Sequence, residues 1–282
     1  MVKKLKRWLR WLLWAVLLLL VTFVLLLWSM RWVNPPTTSF MLQHNLRALF
    51  DADLDFARHH WVPLSEIPAA MQLAVIASED QKFPDHPGID MQATQAAIAA
   101  YRSGQQAGGG STITQQVVKN LFLWGGRSTF RKVIEWCLAL LLELLWTKER
   151  ILEVYLNIAQ FGRQEYGVGA ASEYLLKKPV SRITREEAAL LASVLPAPAR
   201  MDVTRPSQYM RSRQAFILRQ MNNLGGEAYL RRLSAAAGGS LSDPRHAAFS
   251  TAVTGFWAGY ESSALPEWDQ TPLLCQGWYW QS

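Results

Sequence analysis

The sequence predicts a mainly α-helical domain carried behind a single N-terminal membrane-spanning helix. Three observations lead there. Residues 11–30 hold no charge and are almost entirely Leu, Val, Ala, Trp and Phe, about the 20 residues that one helix needs to cross a bilayer. Downstream, apolar residues recur at helical spacing between recognisable caps and Pro or Gly stops. No run of alternating apolar and polar residues stands out as a strand.

The N-terminal elements come first. Lys3, Lys4, Lys6, Arg7 and Arg10 precede the apolar run, and only Arg31 closely follows it. The excess of cations before the run places residues 1–10 in the cytoplasm, residues 11–30 in the bilayer and the remainder outside the cytoplasmic membrane. Trp8, Trp11, Trp28 and Trp32 suit the two headgroup interfaces. A cleaved secretory signal is shorter and ends in small residues, whereas large residues dominate positions 29–34. Residues 31–59 read as a linker, with Pro35 and Pro36 breaking any helix.

A catalytic-sized domain is expected over residues 60–237, built of helices joined by short turns. The first helix covers about 67–79. A second starts after Asp90, a good N-cap, and reaches Tyr101. A third spans 112–123, preceded by glycines 108–110 and opened by a capping box, Thr112-x-x-Gln115. Helices over 129–146 and 148–158 follow. Another covers 185–195, opened by Thr184-x-x-Glu187 and stopped at Pro196. The last covers 207–224 and closes at Gly225–Gly226. Residues 238–282, rich in Gly, Ser and aromatics, form an extension without clear periodicity. The run Trp136–Trp146 is apolar on almost every side, interrupted only by Glu143. It reads either as a central buried helix or as a helix at the bilayer that admits a lipid tail.

Charge and cysteines narrow the function. The chain carries a net +7, and six of those charges fall in the first 31 residues, which contain no acid. The rest is nearly neutral, which argues against nucleic acid as a partner. Cys137 sits in an apolar run, and nothing in the sequence pairs it with Cys275.

Four clusters carry chemistry. In the first, Glu79-Asp80-x-x-Phe83-x-x-His86-x-Gly88-x-Asp90, three carboxylates and a histidine crowd a helix end. Burial beside an aromatic ring raises a carboxyl pKa, and such a Glu can serve as a general base near neutral pH. Asp80, His86 and Asp90 can equally satisfy loop backbone and one another. In the second, Gly109 to Phe122, a glycine loop opens a helix whose free N–H groups suit anions. Ser111, Thr112, Gln115, Gln116, Lys119 and Asn120 add hydroxyls, amides and a cation there. In the third, Arg127 precedes Arg131, Lys132 and Glu135, with Lys132 and Glu135 on one helix face. The fourth, Lys148 to Ala171, reads as a packed helix ending in a glycine turn.

In this order and spacing the clusters resemble glycosyltransferase family 51, the monofunctional peptidoglycan transglycosylases with a lysozyme-like polymerising domain. The resemblance covers residues 60 to 226 and rests on Glu-Asp-x-x-Phe-x-x-His-x-Gly followed by Gly-x-Ser-Thr-Ile-Thr-Gln-Gln-x-x-Lys-Asn. Arg205-Pro206-Ser207-x-Tyr209 and the stretch from Arg213 to Met221 are similar to the end of its Gram-negative branch.

The resemblance implies polymerisation of lipid II into β-1,4-linked glycan strands at the bacterial inner membrane, with the catalytic domain in the periplasm. It assigns Glu79 as catalytic base and Glu135 as second essential carboxylate. Lys119, Arg127 and Lys132 would hold the donor pyrophosphate. Ser111, Thr112, Gln115, Gln116 and Asn120 would line the cleft with Asp80, Phe83 and His86. It implies Mg²⁺ as a divalent cation bridging the phosphates, and other cell-wall synthesis and division proteins as partners. Two positions depart from the pattern. Gln160 stands where this branch has an acid, and Leu175–Leu176 replaces a Tyr-Phe-Gly type ending. A muramidase and a non-catalytic membrane scaffold stay open as alternatives. No Ser-x-x-Lys with a following Lys-Thr-Gly occurs, so a second, transpeptidase activity is not expected.

Overall fold

The computed structural model describes residues 2–103, 110–126 and 128–235. Gly109, Arg127, Cys275 and the 238–282 extension lie outside them. Contacts divide the chain into residues 1–36 and a unit beginning at Thr37.

The first unit is helix α1, Val2–Ser29. Its segment Lys4–Ser29, in which an 18-residue window reaches a mean hydropathy of 2.7, is long and apolar enough to cross a membrane.

The second unit is mainly helical, as expected of the lysozyme-like class. Its elements in chain order are α2 (Ser39–Ala48), β1 (Arg58–His59), α3 (Ala69–Glu79), α4 (Met91–Arg102), α5 (Ile113–Phe122), α6 (Thr129–Leu145) and α7 (Lys148–Ile158). Then come β2 (Glu165–Tyr166), α8 (Gly167–Ala170), α9 (Arg185–Ser193), α10 (Gln208–Asn223) and α11 (Glu227–Ala235). Among the described residues the sheet is a two-residue parallel pair, Arg58 opposite Glu165 and His59 opposite Tyr166.

The caps read from the sequence form as expected. Thr112 and Gln115 exchange side-chain and backbone hydrogen bonds at the start of α5. Thr184 and Glu187 do the same at α9. Asp90 accepts from the N–H of Ala93 and starts α4. After α10, Gly225 and Gly226 take φ of +87° and +66°. Three segments differ from expectation. The 31–59 stretch contains α2, whose first turn is capped by Thr38 Oγ1 accepting from Met41 N. Residues 167–176 are helical, running from α8 into a π-helical turn, Ala171–Leu176. A further helix, α11, follows the two glycines.

The core sits around α3, with Met71, Leu73, Ala74, Val75, Ile76 and Ala77 all buried. It packs on α9 and α10, where Ala188, Ala189 and Ala192 let the backbones approach. A second layer forms where α5 packs on α6 and α7 through Val117, Val118, Ile151, Leu152 and Tyr155. Each buried Ile, Leu or Val side chain there contributes roughly 1.5–3 kcal/mol. Together the two layers bring the C-terminal end of α3 against the middle of α5, where the expected catalytic cluster lies.

The apolar run in α6 splits by face. Arg131, Glu135, Ala139 and Leu142 form its buried stripe, while Phe130, Val133, Cys137 and Leu144 are exposed. The buried-helix reading therefore holds for one side of the helix, and the other side is exposed and partly apolar.

Candidate active site

Glu79 ends α3, and its side chain is only 1% exposed. One carboxylate oxygen, Oε2, accepts from Gln116 Nε2 at 3.0 Å. The other, Oε1, accepts from Ser78 Oγ at 2.9 Å and lies 3.8 Å from Arg213 Nη2. Burial pushes its pKa up from the ordinary carboxylate range, while the Gln116 and Ser78 hydrogen bonds and the Arg213 and Lys119 charges pull it back. Gln116 is itself held by Tyr155, whose hydroxyl donates to Gln116 Oε1 at 3.0 Å. Burial keeps that phenol protonated far above its usual range, so it remains a donor.

Asp80 turns the chain out of α3 and ties the site together. Its carboxylate engages His86 Nε2 at 2.9 Å and accepts from Ile113 N, at the start of α5, at 3.0 Å. A carboxylate at a helix N-terminus meets free N–H groups and the positive end of the helix dipole. This contact sets α5, and with it Gln116 and Lys119, relative to Glu79. Phe83 is fully buried beneath the loop. Thr112 and Gln115 are buried in the capping box, and Thr112 Oγ1 also donates to Gly88 O at 2.5 Å. Asp80, Phe83, His86, Thr112 and Gln115 thus lie inside and support the site from below.

The loop between α3 and α4 rests on a buried ion pair that the sequence reading did not foresee. Lys148 Nζ lies 2.7 Å from Glu143 Oε1, donates to His86 O at 2.7 Å and sits 4.4 Å from the centre of the Phe83 ring. Thr114 Oγ1 donates to the same glutamate oxygen. Gly88, at φ +87°, lies where a Cβ would come within 2.8 Å of Glu143 Cγ. Glu143, read as an interruption of an apolar run, is a brace for the loop.

The cations gather across α5 and α6. Glu135 is 3% exposed at its side chain, with Arg131 Nη1 2.7 Å from one oxygen and Lys132 Nζ 2.5 Å from the other. The pair of Lys132 and Glu135 is therefore no surface ion pair, because the glutamate is buried and shared with Arg131. Lys132, 34% exposed, also donates to Ser111 Oγ at 3.0 Å. Lys119 has its pKa lowered, chiefly by burial, with Lys132 and Arg131 acting in the same direction and Glu135 and Glu79 against it. Its ammonium stands 5.8 Å from the Phe40 ring of α2.

An open cleft runs beside these groups. Gln116, Lys119, Asn120, Tyr155 and Gln160 supply its polar lining, and Phe40, Tyr166, Leu195 and Pro196 are among its apolar walls. Gln160 donates to the carbonyls of Gly162 and Arg163 at 2.7 and 3.1 Å. A carboxylate has no proton for those bonds at neutral pH, so the amide at this departure from the family pattern closes the 160–163 turn in a way an acid would not.

Sequence reasoning missed Ser78, Glu143 and Tyr155, and quoted Arg213 without a role. Ser78 adjoins Glu79 and Tyr155 lay in a segment read as structural, but nothing local in the sequence marked either as a partner of the carboxylate.

A divalent cation needs oxygen ligands. Among the described residues no group of three or more His, Cys, Asp or Glu could hold a metal. Both oxygens of Glu135 are taken by Arg131 and Lys132. The described residues alone do not form a metal cage.

Comparison with known proteins identifies the family. The transglycosylase family model matches residues 48–222. A biosynthetic peptidoglycan transglycosylase of Pasteurella multocida is 49% identical over 209 residues, 74% of this chain and 85% of the relative. One from Pseudomonas putida is 43% identical over 236 residues, covering 84% and 97%. Another, from Klebsiella oxytoca, is 50% identical over 201 residues, covering 71% and 83%. With its helical architecture, its buried glutamate and a match over most of its length, this chain belongs to the transglycosylase family.

Proposed function

We propose that this enzyme polymerises lipid II into β-1,4-linked glycan strands of peptidoglycan, with Glu79 as the general base. The observation that carries the reading is a buried carboxylate of raised pKa hydrogen-bonded to Gln116, which lines the cleft together with Lys119. The names of the relatives support the substrate class.

In this reading the donor is a growing strand on a polyprenyl pyrophosphate, and the acceptor is a lipid-linked disaccharide-pentapeptide. Glu79 removes the proton from the acceptor 4-hydroxyl as that oxygen attacks the donor anomeric carbon. The bond to pyrophosphate breaks on the opposite face, so an α-linked donor becomes a β-1,4 link. Desolvation around Glu79 makes it basic enough for the transfer, and a well-placed base is worth about 10²–10⁴-fold in rate. Negative charge builds on the departing pyrophosphate. Lys119, Lys132 and Arg127 stabilise it, a term that gains from exclusion of water. Glu135 acts by holding Lys132 and Arg131 in place. Ser111 and Asn120 contact substrate hydroxyls or phosphates.

Membrane attachment follows from the same chemistry. Both substrates carry lipid tails, and the exposed apolar side of α6, with Phe130, Val133 and Leu144, suits a bilayer surface. The cations ahead of the apolar run favour a cytoplasmic N-terminus and a catalytic unit on the periplasmic side of the inner membrane.

The test is turnover of a fluorescent lipid-linked disaccharide by the full chain in detergent. Lysozyme-digestible polymer is expected from the wild type. Glu79→Gln should give a rate lower by about 10²–10⁴-fold with the fold intact. Wild-type turnover by Glu79→Gln would refute the base assignment.

A further inference from the structure

Glu79 is held from two sides, and the second side comes from a helix to which the chemistry above assigns nothing. Arg213 lies in α10 with its side chain 22% exposed, and its Nη2 donates to Ser78 Oγ at 3.1 Å. The same nitrogen stands 3.8 Å from Glu79 Oε1, to which Ser78 Oγ donates at 2.9 Å. The hydroxyl therefore accepts from a cation and donates to a carboxylate, an arrangement in which each bond polarises the next. The other acceptor in reach of Ser78, the Ala192 carbonyl, is more distant at 3.4 Å. The Nε–H of Arg213 is buried without an acceptor among the described residues. A well-satisfied guanidinium thus does not account for its placement, whereas Ser78 and Glu79 do.

The geometry points to Arg213 as a positioning residue for the transfer reaction: through Ser78 it fixes the Glu79 carboxylate to receive the proton of the incoming hydroxyl. This inference rests on Glu79 being the base. The charged and titratable groups facing Glu79 are Arg213 from α10, Lys119 from α5 and Tyr155 from α7, with Asp80 its chain neighbour. From α9 comes the neutral Ala192 carbonyl. Tyr229 of α11 is turned to the carbonyl of Gln81. Removing Arg213 takes away a cation and the outer half of a donor chain, and both favour the charged carboxylate. The base then keeps its proton to higher pH.

The experiment measures kcat and KM against pH for the full chain in detergent, comparing wild type, Arg213→Ala, Arg213→Lys, Ser78→Ala and Glu79→Gln. Arg213→Ala is expected to lower kcat far more than it raises KM and to move the acid limb of the profile up by about 1 pH unit. Arg213→Lys should return most of that limb, and Ser78→Ala should move it the same way by less. A folded Arg213→Ala with an unmoved acid limb, or with raised KM and intact kcat, overturns the proposal and places Arg213 on the substrate. Should Arg213→Ala not fold, Ser78→Ala decides by the same criterion, an unmoved limb refuting the relay. Full activity in Glu79→Gln would instead overturn the base assignment, a result distinct from either.

Discussion

Lys148→Met tests how the loop carrying Phe83 and His86 is held beneath Glu79. The lysine side chain is 0% exposed, and its ammonium serves Glu143 and the His86 carbonyl together, each at 2.7 Å. Removing the amine leaves Glu143 with the Thr114 hydroxyl and no counter-charge. Breaking one side of such a pair costs about 3–5 kcal/mol. A domain of this size loses about 2–4 °C in Tm per kcal/mol, so a fall of about 6–20 °C is expected. The assay is thermal unfolding in detergent, followed by circular dichroism. Glu143→Gln combined with Lys148→Met should recover much of the loss, because the amide oxygen still accepts from Thr114 and no buried charge is left unpaired. A single variant within about 2 °C of wild type would refute the argument. So would a double variant as unstable as the sum of the two singles, since paired residues must couple.

Three further outcomes follow from the same contacts. Burial raises the Glu79 pKa in the fold, so the stability tied to this group is fully present below the ordinary carboxylate pKa and is lost as pH rises through the folded value. Glu79→Gln carries no such loss, and its Tm relative to wild type should climb as pH rises above the ordinary glutamate pKa of about 4.3; a difference independent of pH would count against the desolvation argument. Glu135→Ala takes the carboxylate from a buried Arg131 and should cost about 3–5 kcal/mol in urea unfolding, with an unchanged midpoint showing that the ion triad contributes nothing. Gly167→Ala places a Cβ 2.3 Å from Asn157 O at a φ of +81°, and unfolding should show a loss above about 2 kcal/mol.

The helices were legible where the chain announces its own ends. Thr112, Thr184 and Asp90 signal starts that local hydrogen bonding enforces, and Gly225–Gly226 signals a stop that needs positive φ. The 167–176 helix was hidden by its glycines, which read as turn residues. Gly167 is glycine because the chain must pass against the Asn157 backbone, and Gly169 because it passes against His60. The site divides in the same way. Glu79, Gln116 and Lys119 stand in dense local motifs, so their meeting in one cluster was readable. Arg213 reaches Ser78, 135 positions earlier, and no local pattern encodes that meeting. Glu143 and Lys148 lie five apart across the break between two helices, where helical spacing rules no longer apply.

Helix α2 has a bearing on how the catalytic unit can be cut free. Ser39 Oγ and Gln43 Nε2 both donate to the Leu123 carbonyl, and Gln43 Oε1 accepts from Gly125 N. Phe40, between them, forms part of the cleft wall beside Lys119. The ten residues of α2 therefore splint the strip of chain just after α5. The family match begins only at residue 48, so a soluble form trimmed to that boundary would lose the splint and one wall of the cleft together. Beginning at Thr37 retains both, and a comparison of the two lengths isolates the contribution of α2.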